Sequence, residues 1–183
     1  MEPKDRIIVA ADVKTVSEAI ELVDEVGPHV GGVKIGLQLQ RALLHALLSG
    51  GHEARRARDL WTALAGQIVL DGKDHDIPNT MGGAAEQNAA LGVLAYTVHA
   101  CAGHAGMRAS VAARGEAKVL AVTVLTSHGT DECVSIFGDN PGEKVPQFAA
   151  MAAEAGVQGI VCSPADMAAI KESGKVPPSI EFW

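Results

Sequence analysis

The sequence predicts an α/β fold of repeated βα units around a parallel sheet, and three observations carry that prediction. Short apolar runs alternate with longer amphipathic segments along all 183 residues. Hydrophobic residues make up 48% of the chain but aromatics only 3%, so the core is built from Ala, Val, Leu and Ile, the residues that line parallel strands and the helices packed on them. Polar side chains gather just behind the apolar runs: Asp12, Lys34, Asp71 with Lys73, His99, Thr126 with Ser127, and Ser163. A (β/α)8 barrel and a doubly wound sheet both place ligands at strand C-termini, so the third observation fits either. No Gly-x-Gly-x-x-Gly follows the first strand, which counts against a dinucleotide fold.

Six βα units follow in order. The run Ile7-Ile8-Val9-Ala10-Ala11 makes a strand at 7–11, and helical sequence follows at 17–26. Gly31-Gly32 marks a turn into a strand at 32–35; helices at 39–48 and 53–64 follow, separated by the turn residues Gly50-Gly51. The apolar run at 67–70 is a third strand, and Pro78-Asn79-Thr80 reads as a loop into a helix at 81–91, with Asn79 or Thr80 able to cap it. The fourth unit pairs 95–99 with 105–114, the fifth 119–124 with 144–155, and the sixth 159–162 with 164–172. The segment Val176-Pro177-Pro178-Ser179-Ile180-Glu181-Phe182-Trp183 offers at most the stub of a seventh strand. We expect a single domain over residues 1–183, large enough to bury about 70% of its unfolded surface.

Composition excludes several function classes. A net charge of −7 and a pI near 5.4 argue against general nucleic-acid binding, which uses clustered Lys and Arg against phosphates. Cys101, Cys133 and Cys162 are widely spaced with no Cys-x-x-Cys, so neither a disulfide framework nor a zinc knuckle is indicated. The N-terminus lacks an apolar signal region, and no run approaches the roughly 18 apolar residues of a membrane span. A soluble, cytoplasmic protein is expected.

Chemistry concentrates at Asp71-Gly72-Lys73-Asp74-His75-Asp76-Ile77-Pro78-Asn79-Thr80, where Asp71, Lys73 and Asp76 stand at i, i+2 and i+5 behind an apolar run. Alternation along a strand sets Asp71 and Lys73 on the same side, at its C-terminal end. Other candidates have blander readings. His99, Cys101 and His104 carry metal-ligand types in a His-x-Cys-x-x-His spacing but without a second cluster, and His75 stands nearby; a packed or hydrogen-bonded His99 is favoured over a metal site. Arg55, Arg56 and Arg58 read as a solvated helix face.

The segment Ile68-Val69-Leu70-Asp71-Gly72-Lys73-Asp74-His75-Asp76-Ile77-Pro78-Asn79-Thr80 resembles the signature of the orotidine 5′-phosphate decarboxylase family. Collinear matches lie on both sides: Ala11-Asp12, Val33-Lys34-Ile35-Gly36, Val98-His99-Ala100, Ala121-Val122-Thr123-Val124-Leu125-Thr126-Ser127 and Gly159-Ile160-Val161-Cys162-Ser163. The Asp-x-Lys-x-x-Asp element is shared with related phosphosugar decarboxylases and synthases, while Ile-Pro-Asn-Thr and Leu-Thr-Ser favour the orotidylate branch. The resemblance implies an α/β fold of (β/α)8 TIM-barrel type, with about six βα units present here, and decarboxylation of orotidine 5′-monophosphate to UMP without metal or organic cofactor. It implies that Lys73 is the proton donor and that Lys34, Asp71, Lys73 and Asp76 form an alternating charged network. Asp12 and Lys34 would contact ribose hydroxyls, and Thr126 and Ser127 the pyrimidine. Asp76, Ile77 and Thr80 would reach the neighbouring subunit's site in a homodimer. The alternatives are a phosphosugar decarboxylase or aldolase of the same superfamily, and a catalytically silent dimerising remnant.

Three departures accompany the resemblance. Gly72 and Asp74 stand where apolar residues are usual and would face the helical layer if the strand continues that far; a buried aspartate without a partner is costly. The stretch between Lys34 and Asp71 is expanded around Ser49-Gly50-Gly51-His52, within an insertion-like region 49–64. The family binds phosphate through groups after strands seven and eight; the turn Pro177-Pro178-Ser179-Ile180-Glu181-Phe182 is expected to correspond to the first of these, with Glu181 in place of arginine. A barrel needs eight strands on about 200 residues or more, so a C-terminally incomplete member with open strand edges is expected.

Overall fold

The computed structural model describes residues 2–183. Its strands are β1 (Ile8–Ala10), β2 (Gly32–Gly36), β3 (Ile68–Asp74), β4 (Ala95–His99), β5 (Lys118–Val122), β6 (Gly159–Val161) and β7 (Glu181–Phe182). Its helices are α1 (Val16–Val26), α2 (Leu37–Ser49), α3 (Gly51–Ala63), α4 (Pro78–Ala90), α5 (Gly103–Ala113), α6 (Thr130–Phe137), α7 (Pro141–Ala155) and α8 (Met167–Glu172). The strands belong to one sheet in chain order, β1 to β7. A doubly wound sheet reverses its strand order at a switch point. No reversal occurs here, so the fold is of the barrel type, with seven strands.

Contacts divide the described chain into two compact units, one running up to Gly72 with Gly92–Ala95, the other Lys73–Leu91 with Tyr96–Trp183. In the first, β1 pairs in parallel with β2, and β2 with β3. Val33, Ile35, Leu39, Ala54 and Ile68 are fully buried there and form its core. Thr15 caps α1 by accepting the Glu18 N–H at 3.2 Å while the Glu18 carboxylate accepts the Thr15 N–H at 3.1 Å, a reciprocal pair that satisfies two free amides. The expanded segment becomes α3, packed against α1 and α2, and the reversal between α2 and α3 uses the positive φ of Gly50 and Gly51 (73° and 62°). Arg55 and Arg58 are exposed on α3, as expected of a solvated face.

In the second unit, β5 pairs in parallel with β6 and β6 with β7, over a core that includes Met81, Met107, Leu120, Ala149, Ile160 and Ile170. Helix α6 was not anticipated. Its signals were local: Asp131 and Glu132 in the first turn, and Gly138 in the left-handed conformation (φ 80°) closing the last turn. Helix α7 begins three residues earlier than expected because Asn140 caps it, accepting the Glu143 N–H at 3.2 Å, and Pro141 takes its first position. Helix α4 likewise starts at Pro78, so Asn79 and Thr80 lie within its first turn and neither side chain caps it. Proline's fixed φ suits the first helical position, and Ile77 precedes it in extended conformation. No described helix is long and apolar enough to cross a membrane.

A candidate active site at the strand ends

Register explains the first cluster. Lys34 on β2 lies opposite Val69 on β3, two residues before Asp71, so alternation brings Lys34 and Asp71 to one face of the sheet. The Lys34 ammonium donates to Asp71 Oδ2 at 3.1 Å and lies 3.5 Å from Asp12 Oδ1. Asp12 follows β1 and is held near Lys34 because the Ala11 N–H donates to the Lys34 carbonyl at 2.9 Å. Side-chain exposure falls from 71% at Asp12 to 30% at Lys34 and 14% at Asp71. The result is a carboxylate–ammonium–carboxylate chain with one end open to solvent, suited to hydroxyl groups of a ligand, and the other end sheltered, where electrostatic effects are stronger.

β3 runs four residues beyond the expected 67–70 and carries both Asp71 and Lys73. The alternation argument fails at Lys73, however. Lys73 has φ 55°, the one positive value on a non-glycine residue among the described residues, so the backbone leaves the regular extended form there. Its N–H donates to Thr97 Oγ1 at 2.9 Å, and Thr97, on β4, is 3% exposed.

Asp74 turns toward the helical layer, as expected if the strand continued. Its carboxylate is half-buried and receives a long contact, 3.5 Å, from Asn88 Nδ2 on α4. Burial pushes the Asp74 carboxyl above its ordinary pKa, and the Asn88 contact opposes that only in part. Nearby, the buried Tyr96 hydroxyl donates to the Ser110 carbonyl at 3.1 Å. Burial, and then the charge of Asp74, raise the Tyr96 phenol well above its usual range.

Asp76, Ile77 and Thr80 are exposed; Asp76 Oδ1 accepts the Ile77 N–H at 2.7 Å, and Ile77 is 65% exposed, an uncommon setting for so large an apolar side chain. Thr126 and Ser127 occupy a turn after β5, closed by the His128 N–H donating to the Leu125 carbonyl at 2.9 Å, and both are exposed. Glu132 Oε2 lies 3.2 Å from His128 Nδ1, one turn away on the chain.

Of the His-x-Cys-x-x-His donors, His99 and Cys101 both meet His75, while His104 lies against Glu154. The His99 ring packs on His75 with centroids 5.8 Å apart, Cys101 Sγ lies 3.6 Å from His75 Nδ1, and His104 Nε2 lies 3.5 Å from Glu154. Among the described residues no group of three or more His, Cys, Asp or Glu is placed to hold a metal ion.

Glu181 is not in a turn that follows a strand. The turn at 177–179 precedes β7, and Glu181 opens that strand opposite Gly159, the first residue of β6. Its two carboxylate oxygens accept from Lys118 Nζ at 2.6 and 2.8 Å, at the start of β5, and one accepts from Trp183 Nε1 at 2.9 Å. The expected correspondence with a phosphate-binding arginine is therefore incorrect, because Glu181 lies at the N-terminal ends of these strands. Thr97 and Asn88 were missed by sequence reasoning. Thr97 carried one readable signal: within Ala95-Tyr96-Thr97-Val98-His99 it alternates with His99 on one face.

A family model described as orotidine 5′-phosphate decarboxylase / HUMPS family matches residues 5–181. The chain belongs to that family. Among curated relatives, the orotidine 5′-phosphate decarboxylase of Heliobacterium modesticaldum is 38% identical, with 93% of this chain and 71% of that protein covered. The enzyme of the same name from Anaeromyxobacter dehalogenans is 41% identical over 93% of this chain and 72% of its own length. Among solved structures, orotidine 5′-phosphate decarboxylase from Lactobacillus acidophilus superposes with a TM-score of 0.73 at 30% identity, covering 91% of this chain and 75% of that one. The barrel-type fold and the decarboxylase-family signature thus agree with independent comparisons over nearly the whole of this family member.

Proposed function

We propose that this family member decarboxylates orotidine 5′-monophosphate to UMP, the last step of de novo pyrimidine synthesis, as a cytoplasmic, single-domain homodimer using neither metal nor organic cofactor. The observation that carries the reading is Lys34 held between Asp12 and Asp71, at 3.5 and 3.1 Å, with Asp71 two residues before Lys73 on one strand. The names of relatives at 38% and 41% identity support the same substrate.

The chemistry follows from charge. Breaking the bond between the pyrimidine ring and its carboxylate releases CO2 and leaves an electron pair on the ring carbon. The Lys73 ammonium stabilises that developing charge and delivers a proton to it, after which solvent reprotonates the amine. Asp71 stands near the departing carboxylate, Asp12 and Lys34 bind the ribose hydroxyls, and Thr126 and Ser127 contact the pyrimidine. Asp76, Ile77 and Thr80 complete the site of the second subunit, which gives the exposed Ile77 a surface to cover it.

The test is calorimetric binding of a 6-aza-UMP-type nucleotide, compared with a pentose phosphate lacking a base, alongside sedimentation. Tight nucleotide binding by a dimer, without comparable pentose phosphate binding, supports the proposal. Preference for the pentose phosphate would move the function to the phosphosugar branch, and a dimer that binds neither would mark a silent protein.

A further inference from the structure

We infer that Thr97 is the positioning residue for Lys73: its hydroxyl fixes the lysine backbone in the left-handed conformation that sets where the ammonium starts. The inference rests on the reading of Lys73 as proton donor. A non-glycine residue at φ 55° occupies a sparsely populated region and persists there where its surroundings over-determine it. Asn and Asp ease this conformation with a side chain that bonds to the local backbone. Lysine has no acceptor to do so, and the hold must come from another element.

Thr97 supplies it. The Lys73 N–H, which a regular strand gives to a neighbouring carbonyl, goes to Thr97 Oγ1 at 2.9 Å, a mid-range length for a good N–H···O bond. The acceptor is rigid: Thr97 is 3% exposed within β4, and threonine's branched Cβ restricts its χ1. It is also one of few polar residues buried in the described chain, with Ser110 and Thr123. Because the catalytic ammonium hangs from this backbone, a shift of about 1 Å at the origin is enough to cost on the order of 10²-fold in rate. Thr97 acts through Lys73 and is assigned no contact with the reacting atoms.

The experiment compares Thr97→Val, which keeps the shape and removes the acceptor, with Thr97→Ser, which keeps the acceptor, against wild type and Lys73→Ala. Turnover of orotidylate is measured together with the ¹⁵N-resolved amide resonance and hydrogen exchange of Lys73, and melting temperatures confirm folding. The expected result is a fall in kcat of roughly tenfold to a hundredfold in Thr97→Val, with KM within about twofold, near-normal kcat in Thr97→Ser, and loss of Lys73 amide protection in the valine variant alone. Wild-type kcat in Thr97→Val while Lys73→Ala is inactive would overturn the inference, as would equal losses in the valine and serine variants. Should wild type itself fail to turn over orotidylate, the functional reading fails, and the amide data decide the positioning role: protection lost in valine and kept in serine supports it, and unchanged protection in valine rejects it.

Discussion

The Lys34 ammonium and the Asp71 carboxylate meet at 3.1 Å across β2 and β3, in the sheltered part of a charged chain that begins at the solvent-exposed Asp12. Truncating Lys34 to Ala leaves a carboxylate with 14% side-chain exposure short of one cation. Lys34→Ala is expected to lower kcat/KM by about 10² or more, the scale of losing one preorganised charge, and to cost roughly 1 kcal/mol of stability. Partial exposure of the lysine keeps that cost below the 3–5 kcal/mol range of fully buried pairs. Steady-state kinetics and urea unfolding check both numbers.

The left-handed backbone at Lys73 reverses an ordinary ranking. In a regular strand glycine is less stable than alanine by roughly 0.5–1 kcal/mol. At φ 55° the preference inverts, so Lys73→Gly is expected to be more stable than Lys73→Ala by about 1 kcal/mol, or roughly 2–4 °C in Tm for a chain of this size. Both substitutions delete the same side chain, so their difference isolates the backbone. A glycine variant that melts below the alanine variant would place Lys73 in ordinary extended conformation.

Asp74 makes stability depend on pH in a defined direction. Burial raises its folded-state pKa above the ordinary carboxylate value, so across the window between the unfolded and the raised folded pKa the folded state binds more protons. Stability therefore falls as pH rises through that window. Asp74→Asn removes the ionisable group and should be more stable than wild type at neutral pH, with the advantage shrinking as pH falls through that window and levelling off below the ordinary carboxylate value. Thermal melts of both proteins between pH 3 and 8 test this, and an advantage that grows on acidification would contradict it.

Much of this was legible before the structure. The βα periodicity located all six units, and the fourth strand, 95–99, matches β4 residue for residue, because apolar runs bounded by glycines and polar residues mark buried strands directly. The Asp12–Lys34–Asp71 cluster was legible because Asp12 and Asp71 follow apolar runs and Lys34 interrupts one. Three features were not. Helix α6 was hidden because at eight residues it is too short to show a clear helical period, and its signals lie in its caps. The kink at Lys73 depends on a tertiary bond to Thr97 that no local pattern encodes. Glu181 was misplaced because register, not motif similarity, decides which end of β7 it occupies.

That last correction is itself testable. Glu181 holds Lys118 with both oxygens at the N-terminal ends of β5 and β7, and Lys118 also lies 5.6 Å from the Trp183 ring centroid. Glu181→Arg should lower stability by about 1 kcal/mol, the upper range for a partly exposed pair replaced by like charges, and leave the KM for a phosphorylated substrate unchanged. A lowered KM would return this position to the phosphate site.

The most direct test of the account is the loss of orotidylate ultraviolet absorbance at high enzyme concentration, run beside Lys73→Ala. The account predicts turnover to UMP by the wild-type chain and none by a folded Lys73→Ala. Equal rates in the two proteins, or no turnover by a folded wild-type protein, would contradict it.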